Sequence, residues 1–305
     1  MIYALIIAIA LIAVITAGAA LINFSTFKSE VGKPDETKFA TADRRFVFWK
    51  NGRTAAATSS DVPRGALGCA VWNEHGERGI IVLAHGMGNS AVWYLPEIRA
   101  FADMGYAVFG FEYHGYAGGG NFFGFPRAVR DVVAAVDHIS DGKRPVFLVG
   151  HSMGGYAVCA AAGRLRRQIA GVVAYAPFAR PDEAGEELTR TMKPPRLVAG
   201  VINAAQFLAY GTASRRSAAG ELNRAGVPAL IVQGSADDEV PPDGCAIYAH
   251  RERVKTPQVT FRFVETDGSN GHMSVVRRAD KRTDTNPDTF PIVAEFIEKC
   301  GNMSH

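Results

Sequence analysis

Over its 305 residues the chain is short of several things. It has only 4 cysteines, which excludes a disulfide-stapled scaffold of the small secreted kind. Charge of one sign is also missing. With 33 basic and 30 acidic residues the formal net charge is +3, too small by itself to imply a nucleic-acid partner. Zinc-ligand spacings, a His-Glu-x-x-His helix and a phosphate-cradling glycine loop are all missing, and no repeat of 20–50 residues recurs. The 32 glycines and 15 prolines are ordinary counts, so collagen-like and low-complexity classes fall away. At 48% hydrophobic and 21% charged, the chain can bury a core and is not a disordered polymer.

Charge is also missing locally. Met1 to Ile22 carries none, and the first charged residue is Lys28. As a helix this run is long enough for the roughly 30 Å hydrocarbon core, and in lipid a backbone must satisfy its own hydrogen bonds. Residues 1–24 are therefore expected to form a single-pass transmembrane anchor that holds the protein on a membrane. A cleaved leader cut near Ala17-Gly18-Ala19 is the alternative, and would give a secreted protein. No Lys or Arg precedes the apolar run and Ala20-Leu21-Ile22 extend it, which favours retention. Lys28, Lys33 and Lys38 follow it, placing the remainder on the cytoplasmic side by the positive-inside rule, although the side of the membrane stays open. Residues 25–43, polar and containing Gly32-Lys33-Pro34, read as a linker.

Beyond the linker, short apolar runs alternate with helical stretches. Strands are expected at Arg45–Trp49, Leu67–Trp72, Gly79–Ala84, Tyr106–Tyr113, Val146–Val149, Gly171–Ala176, Ala229–Val232 and Val259–Val264, with a turn at Asn51-Gly52. Helices are expected at Ala91–Met104, Pro126–Ile139, Tyr156–Leu165 and Pro291–Cys300. Such alternation implies right-handed crossovers and a doubly wound α/β fold on a mostly parallel sheet of about eight strands. Residues 178–222 break the rhythm with Pro194-Pro195 and two helical pieces near Asp182–Met192 and Leu197–Tyr210. They read as a small helical cap, inserted between a first core part, 44–177, and a second, 223–305.

The chemistry concentrates in Val149-Gly150-His151-Ser152-Met153-Gly154-Gly155, a G-x-S-x-G elbow with a strand before it and a helix after it. A serine hydroxyl is a poor nucleophile at neutral pH unless a base takes its proton and a carboxylate orients that base. The base candidate is His272, in the Gly-rich stretch Asp267-Gly268-Ser269-Asn270-Gly271-His272 after the last strand. The acid candidate is Asp237, in Gln233-Gly234-Ser235-Ala236-Asp237-Asp238-Glu239-Val240-Pro241, with Asp238 as the alternative. The order Ser, acid, His is the one this arrangement requires. A developing oxyanion needs backbone donors, for which the amides of Met87, in His85-Gly86-Met87-Gly88, and of Met153 are the candidates. His85 is expected to be structural, and His151 to point into the fold.

Taken together, His85-Gly86-Met87-Gly88, Gly150-His151-Ser152-Met153-Gly154-Gly155, Gly234-x-x-Asp237-x-x-Val240-Pro241 and Gly271-His272 resemble the α/β-hydrolase superfamily over about residues 45–300. The branch they are similar to holds monoacylglycerol lipases, serine aminopeptidases and membrane-anchored acyl-thioesterases. His114 and Ala117 depart from that branch's Arg-Gly-Tyr-Gly loop. The resemblance implies hydrolysis of an ester, thioester or amide through an acyl-enzyme, without metal or organic cofactor. The expected partner is a small acyl substrate; no nucleic acid is expected, and the oligomeric state is open.

Tyr113, Tyr116, Phe122 and Phe123, on and beside Gly118-Gly119-Gly120, are candidates to line an acyl site, with Phe125, Trp93 and Tyr94 nearby. Met192, Leu197, Val198, Phe207 and Leu208 would supply an apolar roof, suiting lipid-like or acylated substrates. Glu183, Glu186 and Glu187 are candidates to bind a peptide's amine if the bond cleaved is an amide. Arg277, Arg278, Lys281 and Arg282 read as a solvated basic patch, and Cys69 and Cys159 as small buried hydrophobes. A non-catalytic binding module on this fold would be betrayed by a missing triad member, and none is missing.

Overall fold

In the computed structural model, residues 18, 44–50, 53–56, 67–113, 124–191, 194–266, 271–277 and 284–303 are described. The expected anchor apart from Gly18, the linker, and Tyr116, Phe122, Phe123 and Met192 lie outside them, as do Arg278, Lys281 and Arg282.

Nine strands among the described residues form one sheet. They are β1 (Arg44–Lys50), β2 (Arg53–Ala56), β3 (Leu67–Glu77), β4 (Ile80–Ala84), β5 (Tyr106–Glu112), β6 (Val146–His151), β7 (Gly171–Tyr175), β8 (Ala229–Gly234) and β9 (Val259–Val264). The order across the sheet is β2-β1-β3-β5-β4-β6-β7-β8-β9. From β5 to β9 every pairing is parallel, while β1, β2 and β3 join antiparallel. The strand not expected from sequence is β2. Its Arg-Thr-Ala-Ala lacks apolar alternation, and it is held by a two-residue connection in which Lys50 pairs with Arg53.

The central strands are fully buried because helices cover both faces. The helices are α1 (Leu95–Asp103), α2 (Phe125–Ile139), α3 (Met153–Leu165), α4 (Pro181–Leu188), α5 (Pro195–Tyr210), α6 (Ala218–Ala225) and α7 (Phe290–Asn302). One face packs Val82, Phe109 and Leu148 under α2 and α3; the other packs Ile81, Val108 and Phe147 under α1 and α7. In α3 everything from Tyr156 to Ala162 is buried, so the helix shows small residues all round rather than one apolar stripe. The interval expected to hold two helical pieces contains α4, α5 and a short 3-10 turn at Gly211–Arg215, and runs into α6.

Candidate active site

Between β6 and α3 stands one residue, Ser152, with φ 58° and ψ −120°. A side chain seldom adopts positive φ, and it persists only where packing dictates it. A Cβ on Gly150 would lie 2.3 Å from the Gly154 carbonyl oxygen, and one on Gly154 only 2.0 Å from that of Ala84. The glycines of the elbow are thus a steric necessity of carrying the chain sharply from strand to helix. The Ser152 N–H donates to the Tyr175 carbonyl at 2.9 Å, and the Ser152 carbonyl accepts from Tyr156 N–H at 2.9 Å. The Met153 amide is then the first of its helix, without an intrahelical acceptor and at the positive end of the dipole.

His272 lies in a 3-10 turn, Gly271–Val275, and is 6% exposed. Its Nδ1 is 2.8 Å from Asp237 Oδ2 and 3.0 Å from Oδ1. Asp237, which follows β8, also accepts the amides of Val240 at 2.8 Å and Glu239 at 3.1 Å, and the Gln233 side-chain amide at 3.2 Å. Every partner is a donor, which suits an acceptor-only carboxylate and assigns the imidazole proton to Nδ1. Nε2 then carries a lone pair. It is buried and has no hydrogen-bond partner among the described residues. Between the two adjacent acids the geometry separates them: Asp238 does not bond His272. Its Oδ1 sits against Gly271 (φ +42°), 2.5 Å from where a Cβ would be.

His151 does point into the fold. Its ring packs 4.5 Å from that of His272. Its Nε2 donates to the His272 carbonyl at 3.2 Å, and its Nδ1 accepts from the Tyr94 hydroxyl at 2.8 Å. That hydroxyl in turn accepts the Gly86 amide at 3.1 Å. Burial first, then the neighbouring His272, holds the His151 imidazole well below the usual histidine range, so it stays neutral. A chain of hydrogen bonds thereby links the loop after β4 to the loop bearing His272. Sequence spacing had put Tyr94 in a pocket wall; it is 3% exposed and belongs to this chain, while its neighbour Trp93 is 51% exposed. His85 is structural in the sense expected: buried, with Nε2 3.2 Å from Glu112.

A cavity of about 350 Å³ opens beside Ser152. Met87 and Met153 border it, and no protein group among the described residues accepts the Met87 amide proton. Phe125, Phe178, Leu188 and Val240 form apolar wall, Asp238 and Glu239 add carboxylates, and Glu187 and Arg190 add an ion pair at 3.0 Å. Of the aromatic candidates, Tyr113 is not on this wall. It is buried, packs 4.5 Å from the His85 ring and donates to the His85 carbonyl at 2.9 Å. Nor do Leu197, Val198, Phe207 and Leu208 of the expected roof border it. Leu197, Phe207 and Leu208 are 64%, 43% and 75% exposed, and α4 with the turn after it contributes Ala184, Glu187, Leu188, Arg190 and Thr191 instead. Cys245 also lines the cavity; burial pushes its thiol up to about 12, which removes it as a competing nucleophile.

Arg277 corrects the basic patch. It is 6% exposed and grips Glu97 of α1 with two hydrogen bonds, at 2.7 and 3.1 Å, while also donating to the Trp93 carbonyl. Burial pushes the Glu97 carboxyl up and Arg277 pulls it back down. The pair fastens the segment carrying His272 to α1. Arg277→Met should cost about 3–5 kcal/mol of unfolding free energy in urea, because an unpaired carboxylate is left buried. The double variant Glu97→Leu/Arg277→Met should regain most of that loss, and a single variant as stable as wild type would contradict this assignment.

A family model described as serine aminopeptidase, S33, matches residues 75–206. No curated protein matches. Among solved structures, an esterase of Pyrococcus furiosus aligns with TM-score 0.63 and 17% identity over 89% of this chain and 96% of its own. An alpha-beta hydrolase of Vibrio vulnificus aligns with TM-score 0.64 and 15% identity over 92% of each chain. A monoacylglycerol lipase of Paleococcus ferrophilus gives TM-score 0.51 and 20% identity over 73% of this chain and 95% of its own. At these identities the likeness is one of fold.

Proposed function

We infer that this chain, similar in fold to solved esterases and an alpha-beta hydrolase, is a serine hydrolase of the α/β-hydrolase superfamily that cleaves carboxylic ester or thioester bonds through an acyl-enzyme. The observation that carries the proposal is a buried Asp237–His272 pair whose Nε2 is left without a partner, packed against the immediate neighbour of a strained serine that borders a cavity. Ser152 and His272 share no hydrogen bond in this structure. Catalytic hydrogen bonds are often long before substrate binds, so the serine hydroxyl is assigned to turn onto Nε2 in the complex.

The proposed cycle has two halves. Ser152 Oγ attacks the acyl carbonyl while His272 Nε2 takes its proton. The carbonyl oxygen becomes an oxyanion facing the Met87 and Met153 amides. Collapse breaks the bond to the leaving group, which departs with the proton from Nε2. Water then attacks the acyl-serine, giving its proton to the same nitrogen, and the carboxylic acid leaves as Ser152 regains its hydrogen. Asp237 holds the tautomer and stabilises the imidazolium.

The apolar wall of Phe125, Phe178, Leu188 and Val240 supports an acyl group as the occupant. A cavity near the lower end of the usual ligand range of about 300–1,000 Å³ favours short chains. The carboxylates Asp238 and Glu239 on its border support a second reading, an amide hydrolase of the serine aminopeptidase type that binds a substrate ammonium. Parallel assays on p-nitrophenyl esters of rising chain length and on aminoacyl p-nitroanilides decide between them. The ester reading expects kcat/KM to peak at a short acyl chain and anilides to be turned over at least tenfold more slowly. Faster anilide than ester cleavage overturns it, and no turnover of either would favour a binding module. The uncharged run 1–22 supports a retained single-pass anchor, with a cleaved leader as the alternative that N-terminal sequencing of the mature protein distinguishes.

A further inference from the structure

Helix α5 is apolar on two opposite faces. Ala199, Ile202, Ala205 and Gln206 are buried against the protein. The opposite stripe, Leu197, Ala204 and Leu208, repeats at helical spacing and faces outward, with Phe207 alongside. A solvated surface helix carries polar side chains there. This one has no Asp or Glu in its 16 residues. Nor does it span a membrane: at about 1.5 Å per residue it is roughly 24 Å long, short of the roughly 30 Å core, and one face is packed on protein. The longer apolar stretch Pro195–Ala225 is interrupted at Gly211, with φ 59°.

Cations stand at both ends of the exposed stripe. Arg196 precedes Leu197. At the other end the Arg215 guanidinium lies 5.2 Å from the Phe207 ring and that of Arg130 lies 5.4 Å from the Tyr210 ring. None of Arg196, Arg215 and Arg130 forms an ion pair among the described residues; Asp131, beside Arg130 in sequence, pairs with Arg127 instead. An apolar stripe bracketed by cations without counterions is complementary to a layer of acyl chains under anionic headgroups.

We propose that α5 is an interfacial helix that lies on an anionic lipid bilayer, with Leu197 and Leu208 among the acyl chains and Arg130 and Arg215 among the headgroups. This surface is separate from the catalytic assignment and stands without it.

The test is local, because residues 1–22 would themselves hold the full chain on vesicles. The full-length protein, with Cys69→Ser, carries a polarity-sensitive fluorophore on Leu208→Cys, or on the exposed position Met303→Cys as control; Cys159, Cys245 and Cys300 are buried. Vesicles are phosphatidylcholine alone or with a third phosphatidylglycerol, with and without brominated acyl chains. The expected result is quenching at 208 and not at 303, stronger with the anionic lipid and reduced by high salt. Arg130→Gln/Arg215→Gln should lower the docked-to-undocked ratio at 208 about 30-fold, at roughly a tenfold per 1.4 kcal/mol and 1 kcal/mol per arginine. No quenching at 208, or equal quenching at 208 and 303, overturns the proposal. So does a blue-shifted probe without lipid, which at rising protein concentration would mean a second copy and at constant intensity the chain's own segment.

Discussion

Ser152→Ala should lower kcat on the best p-nitrophenyl ester by about 10⁶-fold, because the nucleophile acts as a unit with its base and its loss costs about as much as losing the whole triad. A residual acceleration over water should survive, since the Met87 and Met153 amides and the cavity remain. The fold should tolerate the change. Ser152 already has a Cβ in its positive-φ position, and the clashes at the elbow belong to Gly150 and Gly154. Steady-state rates set beside a urea transition of unchanged midpoint check both halves. A tenfold effect would leave the rate to some other group.

Asp237→Asn should reduce kcat about 10⁴-fold with little change in KM. The asparagine keeps the shape but turns an acceptor-only group into one that also donates. His272 Nδ1–H would then face an amide that can present N–H, and the imidazole is released to the wrong tautomer. With its oxygen kept on the Val240 and Glu239 amides, which both bond Oδ1, the asparagine turns its NH2 toward Gln233 Nε2, and that donor-to-donor contact adds a structural cost. Asp238→Asn is the control: that side chain makes no bond to His272, and its rate should stay within a few-fold of wild type. Equal losses at 237 and 238 would mean that the acidic turn acts by bulk charge rather than through one carboxylate.

Much of the central sheet is legible in the sequence because strands buried on both faces read as unbroken apolar runs. Ile80–Ala84 and Ala229–Val232 are of that kind. The outer sheet is less so. Arg53–Ala56 has no pattern of its own and forms because Arg44–Lys50 offers it an edge. The elbow was visible as Gly-x-Ser-x-Gly because its glycines answer a local steric demand. The acid candidate was Asp237 with Asp238 as the alternative; what distinguishes the two in the fold is that the turn amides of Glu239 and Val240 face Asp237, which spacing alone does not show.

The cavity wall was the least legible part. Helix α5 is apolar on two faces, so composition placed Leu197 and Leu208 in a roof that α4 and its following turn provide instead. Arg277 lies in a basic run and looked solvated; its partner Glu97 is 180 positions away in sequence. Tyr94 likewise gains its meaning from His151, 57 positions on. Both belong to contacts that only the closed fold creates.

The measurement that most directly tests Ser152 as an activated nucleophile is covalent capture by a fluorophosphonate, with the modified peptide located by mass spectrometry. The account predicts a single stoichiometric adduct on Ser152, absent from Ser152→Ala and much slower in His272→Gln. A folded wild-type protein that takes no adduct, or takes it on another residue, would contradict it.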